Sequence, residues 1–411
     1  MATTTWYFLQ NNSVDFTSSV LSANISQGRE KYLDTYGGGS ISITINNNTG
    51  LADTFLFNDK LFVSTNGTSS TQYADLFAVQ QVTYNDYPGD TGLSTATIFA
   101  VDALARSGRV QATDFALTQA ATTAQMKQFN SSVLPSDIKV FNAFGNDGDS
   151  IASAQTYTGT ALNQFNILQT TERGVLRTKY PSVVGRVTQY IYAYSRSEIG
   201  QAFDSSFNFG RSASSTVIAY QTFDRMQNGT SFINTATISP LGLSTETRTN
   251  AAAVTTYGPA FYSSSTVDYT ATQAQGNGDW IVNTFSNPTD LRYKISFSDK
   301  AQNQTAYTLM LHNFGADLAF NLEFKPPSSA STLSDQVVLE GWQINMTPEQ
   351  TVWSLFFSPL NYYQFFTLNS GTLGILGGGN ITYEQPEITY DQAAWVYNDS
   401  NANDTASRLG W

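Results

Sequence analysis

The scarcity of charged side chains constrains this chain more than any other feature of its sequence. Charged residues make up 13% of the 411 residues, about half of the ~25% that soluble chains usually carry. Asn, Ser, Thr and Gln supply the polarity instead, while 41% of the residues are hydrophobic and 13% are aromatic. Exposed helices usually carry Lys and Glu, whereas Thr and aromatic residues favour strands. The composition therefore predicts a fold built mainly from β-strands and turns.

Several kinds of site are excluded by residue types that the chain lacks or nearly lacks. There is no cysteine, so disulfides, thiolate nucleophiles and Cys-ligated zinc are excluded. His312 is the only histidine, which excludes His-rich metal sites and weakens any Ser-His-Asp mechanism. No run of 18 apolar residues is present, so we expect no membrane span. Residues 1–10 lack a basic start and a long apolar run, so we expect no secretory signal.

The charge that is present is acidic and unevenly distributed. The net charge is −12, and such a chain is not expected to wrap nucleic acid, which requires Lys and Arg stripes. Eight acids and one base follow from Asp335 to the end. Solvated acidic faces explain this most simply, and a surface that meets a basic partner is the alternative. Six bases lie in one short stretch, namely Arg173, Arg177, Lys179, Arg186, Arg196 and Arg211.

Polar and apolar residues alternate in several segments of the first hundred residues. Residues 40–45 alternate strictly, which is the period of a half-buried strand. Glycines precede this segment and an Asn-rich turn follows it. Further strands are predicted at residues 61–63, 74–84 and 95–101. The middle of the chain instead shows two helical patterns, which are predicted over residues 114–129 and 160–171.

Strand-like segments return after residue 215. Residues 216–223 and 231–238 flank Asn228-Gly229, a strong hairpin signal, so we predict that these two strands pair with each other. Residues 268–285 fit a helix, although two glycines in the middle weaken that prediction. Four more strands are predicted at residues 292–297, 317–324, 337–346 and 351–357.

Five ordered segments resemble the minor tail proteins of long-tailed, siphovirus-like bacteriophages, the hub-type proteins at the tail tip. The first is a strand with a Gly28-Arg29 corner, followed by the strand at 39–45 and the turn at 46–50. The other four are residues 76–104, residues 231–238 with Tyr257-Gly258-Pro259, residues 339–344 with 353–359, and residues 407–411. The match is weaker over residues 180–210 and after 374.

This resemblance implies a mainly β fold with an α+β insertion, in which two tail-tube-like antiparallel β-barrel or sandwich domains share one chain. The implied domains are 1–105 and 216–375 for the two tube-like parts, 106–215 for the α+β middle, and 376–411 for an extended C-terminal arm. Three such chains supply six tube-like domains, which matches a six-fold tube ring. Low charge and abundant Thr and aromatic residues fit strand edges that pair between subunits.

The function implied by the resemblance is that of a structural virion protein located at the tail tip. It is a baseplate hub that closes the tail tube, anchors distal fibres or receptor-binding proteins, and lets DNA pass transiently without specific binding. The implied partners are a homotrimer of itself, the distal tail ring protein, the tape-measure protein, and tail fibre or receptor-binding proteins. We expect no enzymatic activity and no cofactor. The alternatives are an adhesive tail protein that contacts host glycan and, third, a glycan hydrolase of the tail.

Two sets of residues are candidates for a functional role. Because a phosphate backbone would stick to Lys and Arg, the channel wall is expected to be acidic or neutral. Acids of the tube-like domains are therefore candidates to face the lumen, and the six bases are expected to face neighbouring proteins. The acids are Asp53, Asp59, Asp317 and Glu323. Four aromatic residues are candidate interface or receptor contacts, with a packed core as the alternative: Tyr362, Tyr363, Phe365 and Phe366.

Other constellations carry weaker signals for chemistry. Asn146, Asp147 and Asp149 resemble the start of a calcium loop, but no Glu follows at the twelfth position, so a plain turn is favoured. Asp86 and Asp90 are two nearby carboxylates of the kind a glycosidase needs, yet they share one Pro-Gly turn and nothing indicates convergence.

Overall fold

The computed structural model describes most of the chain. The described residues are 4–11, 13–65, 73–87, 93–143, 145–178, 187–200, 202–203, 206–227, 232–287, 291–312, 318–327, 329, 331–363, 375–376 and 379–380. The predicted class is confirmed: the fold is mainly β with an α+β part, although the main sheet is open in the described residues rather than a closed barrel. Nearly all of the proposed arm at 376–411 lies outside the described residues.

The first hundred residues form seven antiparallel strands. Along the sheet these strands lie in the order β3-β4-β7-β6-β5-β1-β2, with these bounds: β1 Tyr7–Gln10, β2 Val14–Asp15, β3 Val20–Gly28, β4 Ser40–Asn46, β5 Lys60–Ser64, β6 Ala74–Asn85 and β7 Thr95–Val101. The predicted strand at 40–45 is confirmed, because Ile41, Ile43 and Ile45 are fully buried on one face of β4. Burial of every second residue is what the strict alternation requires.

The middle of the chain is an α+β part. It contains α1 Ala103–Ser107, β8 Gln111–Leu117, β9 Ala120–Ala121, α2 Thr122–Lys127, α3 Phe129–Ser132, β10 Ile138–Asn142, β11 Ile151–Ala152, β12 Gln155–Thr160, α4 Ala161–Glu172, β13 Val175–Thr178 and β14 Gln189–Tyr194. The strands β10, β14 and β13 form a three-stranded sheet. The predicted helix at 160–171 is confirmed as α4, whose first turn is capped by the side chain of Thr160.

The predicted helix over residues 114–129 is wrong in its first half. That half lies in β8, which pairs antiparallel with β12 and sets Phe115 opposite Tyr157. Asp114 has a φ of 49°, a left-handed conformation that a helix does not accept. The apolar spacing in this segment fits both periods, so pairing with a distant strand decides the outcome.

The remaining elements complete the fold. They are β15 Ala202–Phe203, β16 Asn208–Gly210, β17 Val217–Ala219, β18 Thr222–Gln227, β19 Thr235–Pro240, β20 Glu246–Thr249, α5 Ala251–Tyr257, β21 Phe261–Thr266, α6 Ala271–Phe285, β22 Leu291–Ser298, α7 Gln304–His312, β23 Leu318–Phe324, β24 Leu333–Met346, β25 Thr351–Pro359, β26 Ile375–Leu376 and β27 Gly379–Asn380. None of the helices in the described part is long and apolar enough to cross a bilayer.

The hairpin predicted across Asn228-Gly229 does not form. β18 pairs with β22, while β19 lies in a separate three-stranded sheet between β20 and β21. Residues 228–231 lie outside the described residues. The predicted helix at 268–285 is largely confirmed as α6. Its Gly278 lies against the sheet, where an added Cβ would lie 2.8 Å from Cγ of Arg248, so a small residue is needed there.

One long strand, β24, joins the first and last parts of the chain into a single sheet. On one side, residues 333–338 of β24 pair with β23 and residues 341–346 pair with β3. On the other side, β25 accompanies β24 throughout and continues to β22 and β18. The result is a continuous 15-stranded sheet. A second apolar cluster lies between the middle part and the sheet around β19.

Candidate functional site

The change of partner along β24 occurs at a β-bulge. The pairing with β25 shifts between Leu339 and Gly341, which leaves Glu340 as the extra residue. The Glu340 side chain is fully buried. A buried carboxylate is costly unless charged and hydrogen-bonding partners surround it. The residues that satisfy Glu340 therefore decide how this part of the molecule is held together.

Two side chains from distant parts of the sequence satisfy the Glu340 carboxylate. Arg29, which follows β3, places its Nε 2.8 Å from Oε2. Tyr363, which follows β25, donates its hydroxyl to Oε1 at 2.5 Å and accepts a hydrogen bond from Nη2 of Arg29 at 3.0 Å. The guanidinium also lies over the rings of Tyr32 and Tyr36 at 4.8 and 4.6 Å. Burial lowers the pKa of Arg29, but Glu340 outweighs this effect, so the pKa is raised and the side chain stays cationic.

A third segment reaches the same bulge through its backbone. Arg177 on β13 donates to the carbonyls of Leu339 and Glu340 and lies 5.3 Å from the Trp342 ring. Gly28 has a φ of 80°, and a Cβ there would lie 2.3 Å from the Glu340 carbonyl oxygen, so only glycine fits. We call this cluster the Glu340 joint: Gly28, Arg29, Arg177, Glu340 and Tyr363. It connects β3, β13, β24 and the segment after β25.

A second buried polar group connects the first strands to the middle part. Tyr73 lies 3.4 Å from both Oδ2 of Asp75 and Oε1 of Gln27. The Gln27 amide donates to Oγ1 of Thr178 at 3.0 Å, and Thr178 donates to Oδ2 of Asp102 at 2.9 Å. These five buried residues form what we call the Asp75–Asp102 chain.

The two carboxyl groups of the Asp75–Asp102 chain have altered proton affinity. Burial raises the pKa of Asp102 to about 6, against hydrogen bonds that favour its ionised form. Burial, followed by the charge of Asp102, raises the pKa of Asp75 well above its ordinary value. Neither carboxyl forms an ion pair with a described residue. Asp75 is therefore a neutral hydrogen-bond donor near pH 7.

An ion-pair cluster forms a further contact between the first sheet and the middle part. Asp137 lies 2.6 Å from Nζ of Lys60 on β5 and 2.9 Å from Nη1 of Arg106 on α1. Arg106 also donates to Gln189 on β14, whose amide donates to the Leu76 carbonyl at 2.8 Å. The two parts are therefore tied by three polar groups rather than by apolar packing alone.

The predicted lumen-facing acids lie in two separate places. Asp53 is exposed on a 3₁₀ turn, and Asp59 lies close by in sequence, before β5. Burial raises the pKa of Asp59, but hydrogen bonds from Asn11, Leu56 and Gln10 outweigh it, so the pKa is lowered. Glu323 lies on β23. Asp317 lies outside the described residues.

Glu323 borders an open cavity of about 430 Å³. The cavity lies beside β17 and β23, and its other lining residues are Arg211, Ser212, Val217 and Thr332. In the order of the sheet, β23 is separated from β5 by β24, β3, β4, β7 and β6. The acids near β5 and Glu323 therefore do not form one cluster within a chain, and a shared channel wall would require several copies.

Two of the candidate aromatic contacts lie in the core rather than on the surface. Tyr362 and Tyr363 are 6% and 2% exposed, and both rings pack against Tyr32. The physical reason is the Glu340 joint, which needs the Tyr363 hydroxyl and a cover of rings. The packed-core alternative therefore describes them, and neither is available to a receptor in this chain. Phe365 and Phe366 lie outside the described residues.

The prediction that six bases face neighbouring proteins is wrong for Arg173, Arg177 and Arg196, which are buried. Arg177 is needed at the β24 bulge, and Arg173 ends α4 in a left-handed conformation, over the ring of Trp280. Arg211 is exposed. Lys179 and Arg186 lie outside the described residues.

The loop that resembles a calcium site is held by its own hydrogen bonds. Asn146 accepts the Gly148 N–H at 3.1 Å, and Asp149 accepts the N–H and hydroxyl of Ser197 at 2.8 and 2.9 Å. Within the described ranges no group of three or more His, Asp or Glu residues is arranged to hold a metal. His312 is exposed at the end of α7, and Asp86 is exposed before the gap that contains Asp90. The turn interpretation therefore accounts for the loop.

The fold has relatives among solved structures. No protein-family model and no curated protein sequence matches the chain. A tail protein from Neisseria meningitidis MC58 superposes with a TM-score of 0.57 at 11% identity, covering 87% of this chain and 98% of that one. The 43 kDa tail protein of prophage MuSo2 from Shewanella oneidensis gives 0.55 at 9% identity, with 88% and 98% covered. At such low identity, the likeness shows a shared fold over nearly the whole length.

Removing the acid of the Glu340 joint tests its importance for stability. In Glu340→Ala, Arg29 remains buried without its counter-charge, so the free energy of unfolding should fall by about 3–5 kcal/mol. The double variant Arg29→Met with Glu340→Ala should recover part of that loss, because no unpaired charge remains. The exposed pair Lys31–Asp34 is the control, and Asp34→Ala should cost under about 1 kcal/mol. Urea unfolding measures all four proteins, and a loss for Glu340→Ala as small as the control's would contradict the role of the joint.

The Asp75–Asp102 chain predicts a definite pH dependence. A carboxyl whose pKa is higher in the folded state destabilises the fold once it ionises. The contribution of Asp102 should therefore fall as the pH rises from about 4 to about 6, by about 3 kcal/mol, and stay constant above. Asp102→Asn should remove this slope from unfolding curves recorded between pH 3.5 and 7. The exposed Asp53→Asn is the control, and equal slopes in the two variants would refute the assignment.

Proposed function

We propose that this chain is a structural virion protein of a phage tail, and specifically the hub of the tail tip or baseplate. The observation that carries the proposal is the shared fold with two tail proteins, which extends over 98% of each of those chains. Such coverage leaves no large part of either relative unmatched. The composition adds support, because a chain this poor in charge is suited to contacts between subunits rather than to a bare surface.

The exposed edges of the large sheet suggest how copies assemble. In the described part, β18 pairs only with β22, and β17 pairs only with β16. Unpaired strand edges offer backbone N–H and C=O groups to a neighbouring strand. A homotrimer in which parts 1–105 and 216–375 act as two tube-like domains uses these edges to form a six-fold ring. The remaining partners are then the distal tail ring protein, the tape-measure protein, and fibre or receptor-binding proteins.

The proposed passage of DNA also constrains the surface that surrounds it. Asp53, Asp59, Asp317 and Glu323 remain the proposed lumen-facing acids, because an acidic or neutral wall does not hold phosphates. No catalytic step is part of this proposal. A side-attached adhesive protein is the alternative, and it differs from a hub in where the chain sits on the particle.

Cryo-electron microscopy of the particle that carries this chain tests the proposal. The hub reading predicts three copies coaxial with the tail tube, directly below the last tube ring, with strand edges paired between copies. A lumen lined by acids or neutral residues is expected at that ring. Copies that hang from the side of the tail, or a ring lined mainly by Lys and Arg, would refute the hub assignment.

A further inference from the structure

The three-stranded sheet β20-β19-β21 has one covered face and one face in solvent. α6 packs on the covered face, where Ala236 and Ile238 are fully buried. The alternate residues of the three strands point the other way. The pairing aligns Thr249, Thr235 and Phe261 in one row and Thr247, Thr237 and Ser263 in the next. We call these six residues the hydroxyl face.

The hydroxyl groups of this face are only weakly engaged with one another. The oxygens of Thr237 and Thr247 lie 3.4 Å apart, and those of Ser239 and Thr245 in the following row are also 3.4 Å apart. Each hydroxyl offers one donor and two acceptor positions. Neighbouring strands are about 4.8 Å apart and alternate residues about 6.7 Å apart. The face is therefore a regular array of donors and acceptors with capacity for a ligand.

An exposed aromatic ring stands at one end of the array on a firmly held backbone. Phe261 is 75% exposed. Asn234 is fully buried and holds the preceding turn: its Oδ1 accepts the Ala260 N–H at 2.8 Å, and its Nδ2 donates to the Gly258 carbonyl at 2.7 Å. Tyr257, at the start of this turn, is 56% exposed. Apolar groups that are kept exposed and rigid are characteristic of a binding surface.

Formal charge is absent from the hydroxyl face. Glu246 and Arg248 alternate with its residues on β20, and Arg248 turns to α6, where it lies 3.3 Å from Asp279. The face therefore offers no counter-charge to a phosphate, a carboxylate or a basic peptide. An uncharged polyol matches it in two ways. Its hydroxyls pair with Ser and Thr hydroxyls, and the C–H face of a sugar ring stacks on an aromatic ring such as that of Phe261.

We propose that the hydroxyl face binds an uncharged polysaccharide. Adjacent sugars of the chain lie along the rows of hydroxyls, and one sugar ring stacks on Phe261. This inference goes beyond tail assembly and does not depend on it, because binding uses a face that the large sheet and its edges do not include.

An array of neutral and acidic bacterial polysaccharides, probed with the full chain, tests the inference, and the neutral polysaccharide bound best is then titrated. Phe261→Ala should weaken that binding about tenfold or more, since the stacking contact is lost. Thr237→Val keeps the shape of the side chain, removes one hydroxyl, and should weaken it several-fold. Phe57→Ala is the matched control, because Phe57 is 73% exposed elsewhere on the chain, and its affinity should be unchanged. Circular dichroism verifies that each variant is folded.

Three results would overturn the inference. They are no binding to any neutral polysaccharide, a preference for acidic polysaccharides, and an equal effect of Phe261→Ala and Phe57→Ala. Loss of self-association in Phe261→Ala without any glycan binding would assign the face to a protein contact and also overturn it. None of these results bears on the position of the chain in the particle, so the proposed tail role is tested separately.

Discussion

The architecture depends on one buried ion pair, Arg29 with Glu340, and on the groups that satisfy it. Two charges withdrawn from water are costly, so the pair is tolerated only where every remaining hydrogen-bonding position is filled. Tyr363 supplies a hydroxyl to the carboxylate, and Arg177 fills the carbonyls of the same bulge. Since these groups come from four separate segments, the placement of each segment fixes the others. The bulge also lets β24 exchange β23 for β3 as its neighbour, which makes one sheet of the two β parts.

Sequence reasoning recovers the local periods and misses the distant pairings. The alternation at 40–45 predicts β4 because burial of one face of a strand leaves a period of two. The helix over 114–129 and the hairpin at Asn228-Gly229 fail because β12 and β22, far away in sequence, provide the pairing partners. The same limit applies to the site. The Gly28-Arg29 corner is visible as a motif, but its acid lies 311 residues later, and no local pattern connects the two.

The scarcity of charge is more pronounced on the surface than the composition suggests. Many of the ionisable side chains that the chain does have lie inside it, among them Lys60, Asp75, Asp102, Glu172, Arg173, Arg177, Asp268 and Glu340. They hold the first strands, the middle part and β24 together, as the Glu340 joint and the Asp75–Asp102 chain illustrate. The outer faces are consequently left to hydroxyl, amide and aromatic groups. Surfaces of this kind are suited to strand pairing between subunits and to contact with uncharged polymers, and they do not retain DNA.

If the Glu340 joint makes the chain a single mechanical body, native-state hydrogen exchange should reveal it most directly. The amides in the centres of β3, β13 and β24 should exchange only through global unfolding, and therefore with one common free energy of opening. In Glu340→Ala, the three strands should lose that common value together. Exchange of β13 at a distinctly lower free energy than β24 in the unmodified protein would contradict the account, because the middle part would then open without disturbing the sheet.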